Sequence, residues 1–214
     1  MQFSLFNDRV TPKRVLVEGA VVLPGAGQVL DSPIMAILDD VQTTAPFRNM
    51  ITPGGHRMSV GMTNCGSFGW VADKSGYRYC PTDPTTGQPW PVMPEPFQRL
   101  AHSAAHAAGY PGFAPDSCLI NRYLPGAKLS LHQDKDEADY RHPIVSVSLG
   151  LPATFLFGGL DRKDPTQKIP LRHGDIVVWG GASRLSFHGV RALKQGTHAL
   201  MGTQRINLTF RKAV

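Results

Sequence analysis

Apolar positions along the chain follow two periods. In "PEPFQRLAHSAAHAAGYPG", residues 94–112, Phe97, Leu100, Ala101, Ala104, Ala105 and Ala108 take the spacing of one helical face. Gly109 and Pro111 should stop that helix. "DSPIMAILDDVQTTA" opens on helix-start signals, with Ser32 as the cap and Pro33 at the first helical position. "VLVEGAVVLPG" predicts a strand entering a turn. Past residue 116 the period drops to two. "SCLINRYLPGAKLSLHQD", "HPIVSVSLGLPATFLFGG", "HGDIVVWGG", "SFHGV" and "QRINLTFR" are short β-rich runs punctuated by Gly, Pro and Asp. Several such strands in succession indicate a sandwich or barrel. The pattern predicts an α+β fold: a double-sheet jelly roll with N-terminal helices packed on one sheet.

The segment between these blocks differs. "TPGGHRMSVGMTNCGSFGWVADKSGYRYCPTDPTTGQPWP" is rich in Gly, Pro and aromatics and shows little core-like periodicity. It reads as hairpins and loops laid over a scaffold, where binding function tends to sit. The organisation expected is one domain over 1–214: an N-terminal extension and helix (1–50), a lid (51–92), then a helix and the jelly-roll core (93–214).

Composition narrows the class. A length of 214 residues suits a single domain, and 42% hydrophobic residues exclude a disordered chain. A net charge of +6 is compatible with a polyanionic partner. Cys65, Cys80 and Cys118 are odd in number and form no C-x-x-C, which argues against a disulfide framework and a structural zinc site. "MQFSLFNDRV" carries Asp8 and Arg9 and no apolar core of a signal peptide. No apolar run approaches the roughly 18 residues of a membrane span. The expectation is a cytoplasmic protein with no membrane partner.

Candidate chemistry starts in "KLSLHQDKDE". Leu129 and Leu131 alternate with Ser130 and His132, so the segment reads as a strand. On a strand, His132 and Asp134 would share one face and could ligate one ion. Alone, H-x-D is weak evidence, and a surface charge pair is the better reading of it. "SRLSFHGV" adds His188, again in a short apolar run beside a glycine. Two His and one carboxylate on a β-scaffold make the facial triad of non-haem Fe(II) oxygenases, which leaves coordination positions open. His102 and His106 are spaced for metal on the helix, but they lie opposite its apolar face without the Glu of H-E-x-x-H, and are read as solvated. His173, in the turn "RHGD", is read as structural.

The final strand points to a co-substrate. In "RINLTFR", Arg205, Asn207, Thr209 and Arg211 share one face and Ile206, Leu208 and Phe210 the other. Two guanidiniums facing a core need anions, and Arg suits bidentate carboxylate recognition. A dicarboxylate would occupy both; an edge strand with a solvated basic face is the alternative. In "CLINRYLPG", Asn121 and Tyr123 share a face with Leu119 and offer hydrogen-bond donors to such a ligand.

"TPGG", "MTNCG", "LINRYLPGAKLSLHQDKDE", "PIVSVSLGLPATFLFGG", "HGDIVVWGG" and "INLTFR", in this order, resemble the AlkB family of Fe(II)- and 2-oxoglutarate-dependent dioxygenases. The resemblance implies a double-stranded β-helix core and removal of alkyl groups from N-alkylated nucleobases such as 1-methyladenine and 3-methylcytosine. It implies Fe(II), 2-oxoglutarate as co-substrate and O2, with succinate, CO2 and formaldehyde as products. His132, Asp134 and His188 would ligate the iron. Arg205 and Arg211 would pair with the carboxylates of 2-oxoglutarate, helped by Asn121, Tyr123 and Asn207, with Arg211 counted among the catalytic residues. Thr52, Met62, Trp70, Tyr77, Ser130, Lys135, Asp136 and Arg162 would contact the substrate. His56 stands where the family pattern carries an aromatic residue. The partner implied is alkylated single- or double-stranded DNA, with RNA as a further substrate, met by a monomer. Two other readings stay open: a 2-oxoglutarate oxygenase of protein or a small molecule, and a metal-free β-sandwich that binds nucleic acid.

Overall fold

The computed structural model describes residues 13–214; the expectation placed on "MQFSLFNDRV" lies outside them. In chain order the elements are β1 (Arg14–Val17), β2 (Ala20–Leu23), α1 (Ile34–Thr44), β3 (Gly61–Gly66), β4 (Gly69–Asp73), β5 (Gly76–Cys80) and α2 (Glu95–Ala108). Then come β6 (Ser117–Tyr123), β7 (Leu129–His132), β8 (Ile144–Gly150), β9 (Ala153–Phe157), β10 (Gln167–Leu171), β11 (Ile176–Trp179), β12 (His188–Val190) and β13 (Arg205–Arg211). A seven-stranded sheet runs β1-β2-β11-β8-β13-β6-β3, and a four-stranded sheet runs β10-β9-β12-β7. The pairings are antiparallel. This is the jelly roll that the strand pattern predicts.

Inward of its exposed edge strand β1, the large sheet is buried on both faces, so its strands carry two different apolar sets. Val145, Val147, Ile206, Leu208 and Phe210 pack outward against the helices, together with Ile34, Leu38, Phe97, Leu100 and Ala104. Phe97 meets Phe210 edge to face, with ring centroids 5.8 Å apart, a favoured aromatic geometry. The inward face contributes Leu119, Tyr123, Ile144, Val177 and Trp179 to a second core, shared with Phe155, Phe157, Ile169 and Leu171 of the small sheet. Helix α2 ends where expected: Gly109 adopts φ 98 and its N–H reaches back to the Ala105 and His106 carbonyls. His102 and His106 are exposed, in line with their reading as solvated. His173 is structural: Nδ1 accepts from the Gly150 N–H at 2.9 Å, and Nε2 bonds Asp31.

Three local expectations are corrected. Ser32 does not cap α1; Pro33 is the N-cap, already near-helical at φ −87, and its carbonyl accepts the Ile37 N–H at 3.0 Å. The run "VLVEGAVVLPG" forms a hairpin, not one strand, because the chain reverses at Gly19, whose φ is 77. A Cβ there would lie 2.3 Å from the Gly180 carbonyl oxygen, so only glycine fits. Gly61–Gly66, expected in the loop cover, is instead the edge strand β3 of the large sheet, with Met62 opposite Asn121. Its sequence, GMTNCG, hides a strand because small and polar residues are buried there on both faces.

The rest of that cover is a two-stranded hairpin, β4–β5. Trp90 lies beneath Gly69, donates its indole N–H to the Cys80 carbonyl at 2.9 Å, and so fixes the hairpin base. All three cysteines are free thiols. Among the described residues no helix is long and apolar enough to cross a membrane.

Candidate active site

His132 closes β7 and His188 opens β12, and the antiparallel register sets the two directly opposite each other. Their rings lie 4.4 Å apart, centroid to centroid. Asp134 is not on the strand, as the H-x-D spacing had implied; β7 ends at His132 and Asp134 follows in the loop. It converges nonetheless. Its Oδ1 is 3.6 Å from His132 Nε2, and its Oδ2 is 3.8 Å from His188 Nε2. One ligand atom from each residue lies within 4.8 Å of the others.

Both imidazoles are oriented by the main chain. His132 Nδ1 bonds the Ser130 carbonyl at 2.8 Å and His188 Nδ1 the Ser186 carbonyl at 3.0 Å. A carbonyl can only accept, so each Nδ1 carries the proton and each Nε2 keeps its lone pair toward the centre. Burial, then neighbouring His132, pulls His188 down to about 4, so it is neutral and ready to ligate near pH 7. Burial would raise the Asp134 carboxyl, but Arg211, His188 and His132 outweigh it and hold it below the usual carboxylate range. An all-N/O triad with free Nε2 atoms and an ionised carboxylate fits Fe(II).

The inward face of β13 supplies the second half. Arg205 is fully buried; its Nη2 donates to Ser148 Oγ at 2.9 Å, and its guanidinium lies 4.9 Å from the Tyr123 ring centroid. Arg205 Nε and Nη1, Arg211 Nη1 and the Asn121 amide oxygen are buried with no partner. Buried donors are rarely left unpaired, and a cluster of cationic ones beside a metal triad fits a carboxylate ligand. Asn207 is already committed within the protein: its Nδ2 donates to Ser146 Oγ and the Val147 carbonyl, and its Oδ1 accepts from Thr209.

These groups open into one cavity of about 740 Å³. Every site residue singled out in the sequence lines it: His132, Asp134 and His188; Asn121, Tyr123, Arg205, Asn207 and Arg211; and Thr52, Met62, Trp70, Tyr77, Ser130, Lys135, Asp136 and Arg162. Trp70 and Tyr77 stack on the hairpin at 5.5 Å. Arg162 rests over Phe187, 5.3 Å from the ring centroid. His56 does not line the cavity; it is exposed and donates its backbone N–H to Thr52 Oγ1.

Sequence reasoning missed a buried charge network behind the wall. Glu137 Oε2 accepts from Arg184 Nη2 at 2.9 Å, and its Oε1 accepts the Tyr79 hydroxyl at 2.7 Å and lies 3.3 Å from Arg211 Nε. Arg184 also donates to the carbonyls of Asp134 and His142, so it clamps the loop that carries the carboxylate ligand. Burial alone would lower Arg211, but Asp134, Tyr79 and Glu137 outweigh it and raise its pKa. The apolar walls Phe155 and Trp179 also went unmarked; their alternation signalled core, which they are as well.

Residues 19–211 match the model of the 2OG-Fe(II) oxygenase superfamily. The chain is 56% identical over 210 residues to the alpha-ketoglutarate-dependent dioxygenase AlkB of Escherichia coli K12, covering 98% of this chain and 97% of that protein. It is 45% identical to the AlkB homolog of Caulobacter vibrioides, covering 95% of this chain and 83% of the relative. Among solved structures, OsALKBH1 superposes with a TM-score of 0.83 at 31% identity, covering 94% of this chain and all of that one.

Proposed function

This chain belongs to the AlkB family of 2OG-Fe(II) oxygenases, and from that premise we propose that it removes alkyl groups oxidatively from N-alkylated nucleobases. The observation that carries the reading is the meeting, in one cavity, of the His132, Asp134 and His188 ligand atoms with the unpartnered guanidinium nitrogens of Arg205 and Arg211. His132, Asp134 and His188 would hold Fe(II); Arg205 and Arg211, with Asn121 and Tyr123, would hold 2-oxoglutarate. When bound, the iron supplies the oxidation: O2 and 2-oxoglutarate are consumed, succinate and CO2 form, and the N-alkyl carbon gains a hydroxyl.

The protein's own part is placement. Arg205 fixes a carboxylate deep between the sheets, and its burial excludes water that would compete for it. Trp70 and Tyr77 offer a stacking platform over the cavity, and stacking tolerates differences between bases. A base within a duplex cannot reach the triad, so the nucleotide must be flipped out or presented on a single strand. Lys135 and Arg162 line the same cavity and would supply cations to the phosphates of a bound strand. The hydroxymethyl product of a methylated base then breaks its N–C bond, and the carbon leaves as formaldehyde with the base restored.

We read the chain as one catalytic domain with a lid built from the parts of 51–92 that flank the sheet strand β3, acting as a cytoplasmic monomer on DNA, with RNA as a further substrate. Three free thiols support the reducing compartment. The test is mass spectrometry of a single-stranded oligonucleotide carrying one 3-methylcytosine, before and after incubation with Fe(II), 2-oxoglutarate and O2. Reversion to cytosine is expected. Persistence of the methyl group while 2-oxoglutarate is consumed would favour an oxygenase of protein or a small molecule.

A further inference from the structure

Two histidines outside the cavity pack face to face. His173, in the turn between β10 and β11, and His198, in the loop that leads into β13, stack with ring centroids 4.3 Å apart and 21° between their planes. Each accepts main-chain N–H groups at Nδ1: His173 from Gly150 at 2.9 Å, His198 from Leu200 at 3.2 Å and Met201 at 3.3 Å. An N–H can only donate, so neither Nδ1 carries a proton and both rings are neutral. His173 Nε2–H donates to Asp31 Oδ1 at 2.7 Å, so this ring has no lone pair left for a metal. What the pair holds is the back of the co-substrate seat. Gly150 ends β8 and lies opposite Arg205 of β13. Its N–H continues the bonds that Ser148 makes to the same turn, with the Gly174 N–H and the Asp175 carbonyl, and Ser148 Oγ accepts from Arg205. A Cβ on Gly150 would lie 2.4 Å from the Gln204 carbonyl oxygen and 2.9 Å from Met201 Cβ, so the loop that His198 folds rests directly on it.

We propose that His173 and His198 are positioning residues for Arg205: a stacked neutral pair that latches the ends of β8 and β13 together near neutral pH and releases them in acid. The inference rests on the reading of Arg205 as a 2-oxoglutarate contact. A proton on either Nδ1 would meet N–H donors head-on, and two charged rings this close would repel. Burial, then His173, holds His198 below the ordinary histidine value of about 6.5, against the pull of Asp31. The folded chain therefore binds fewer protons here than the unfolded one. The contribution of the latch is complete above about pH 6.5 and is lost as the pH falls below it. The remaining charged groups of these segments are committed or exposed. Asp175 accepts the N–H groups of Gly25 and Arg172, and Arg172, Arg191 and Lys194 are exposed.

The experiment compares the wild type with His198→Asn, whose amide oxygen can replace Nδ1 as acceptor and does not titrate. Affinity for 2-oxoglutarate is read from the melting temperature of the metal-loaded chain, with and without the ligand, between about pH 7.5 and about pH 5.5. What the iron-ligand histidines contribute is common to both proteins and cancels in the comparison. On acidification the wild type's affinity should fall roughly tenfold further than the variant's, the order of one hydrogen bond. A second measurement needs no variant. Hydrogen exchange of the metal-free wild type, read by NMR, should show the Gly150, Leu200 and Met201 amides losing protection over the same window relative to Ile206 of β13. Parallel pH profiles of the two proteins, or protection at these amides that does not change, overturn the latch. If 2-oxoglutarate fails to stabilise the wild type even at the upper pH, the co-substrate reading fails instead, and the exchange result still decides the latch.

Discussion

Arg211 places two nitrogens on one oxygen of Asp134, Nη2 at 2.7 Å and Nε at 3.0 Å. The carboxylate that would ligate iron is therefore also half of a buried ion pair. Its two duties separate it from the two histidines of the triad.

That separation is measurable. His132→Ala and Asp134→Ala should both abolish dealkylation. Their stabilities should differ: breaking a buried pair costs about 3–5 kcal/mol, and Asp134→Ala should fall at the lower end because Glu137 still faces Arg211. His132 is only partly buried, and its loss should cost about 1 kcal/mol. Urea unfolding of the metal-free proteins checks this; equal midpoints would show that the Arg211 pair carries no stability.

Arg205 carries two unpartnered buried nitrogens and should need an anion. 2-Oxoglutarate should raise the melting temperature of the metal-loaded wild type, since a ligand that binds only the folded state stabilises it. Arg205→Lys keeps the charge but loses the planar fork. Truncating one partner of a buried charge pair costs about 2–5 kcal/mol, so the 2-oxoglutarate requirement should rise more than tenfold. Affinity for undamaged oligonucleotide at fixed salt should barely move. The opposite pattern would make Arg205 a phosphate contact.

Glu137 joins Arg184, Arg211 and the Tyr79 hydroxyl of the hairpin. Glu137→Ala should destabilise the fold by about 3–5 kcal/mol, because two buried guanidiniums lose a partner. Tyr79→Phe removes one neutral donor and should cost about 1 kcal/mol. Denaturant midpoints rank the two; a larger effect for Tyr79→Phe would contradict the network as described.

Gly69 touches the indole beneath the hairpin. A Cβ there would lie 2.3 Å from Trp90 Cε2, and overpacking of this kind costs about 1–3 kcal/mol. Gly69→Ala should shift β4, and with it Trp70. Affinity for a 3-methylcytosine strand should fall while 2-oxoglutarate affinity holds; equal losses would indicate general unfolding.

Much of the site was legible because it sits on strands with strict alternation. Arg205, Asn207 and Arg211 face the cavity while Ile206, Leu208 and Phe210 face the helices, as period two demands. The meeting of His132 with His188 was expected from their ligand chemistry and from the family resemblance, but no local pattern encodes which strands pair; the register of β7 with β12 supplies that. The resemblance to a known family supplied the substrate-side residues, which no periodicity marks. Glu137 and Arg184 were missed because, in sequence, a charge beside other charges looks solvated. Only the fold reveals that both are buried and face each other. Strand β3 was missed for the converse reason: Thr63 and Asn64 look like loop residues but are buried, their side chains bonded to backbone groups of Ala45 and Trp70.

The central claim is that the cavity couples consumption of 2-oxoglutarate to removal of an alkyl group from a nucleobase. The most direct measurement is the joint yield of succinate and formaldehyde from a 3-methylcytosine oligonucleotide, against the same strand unmodified. Equal amounts of the two products with the methylated strand, and no formaldehyde with the unmodified one, are expected. Succinate released at the same rate from both strands, without formaldehyde, would contradict the account.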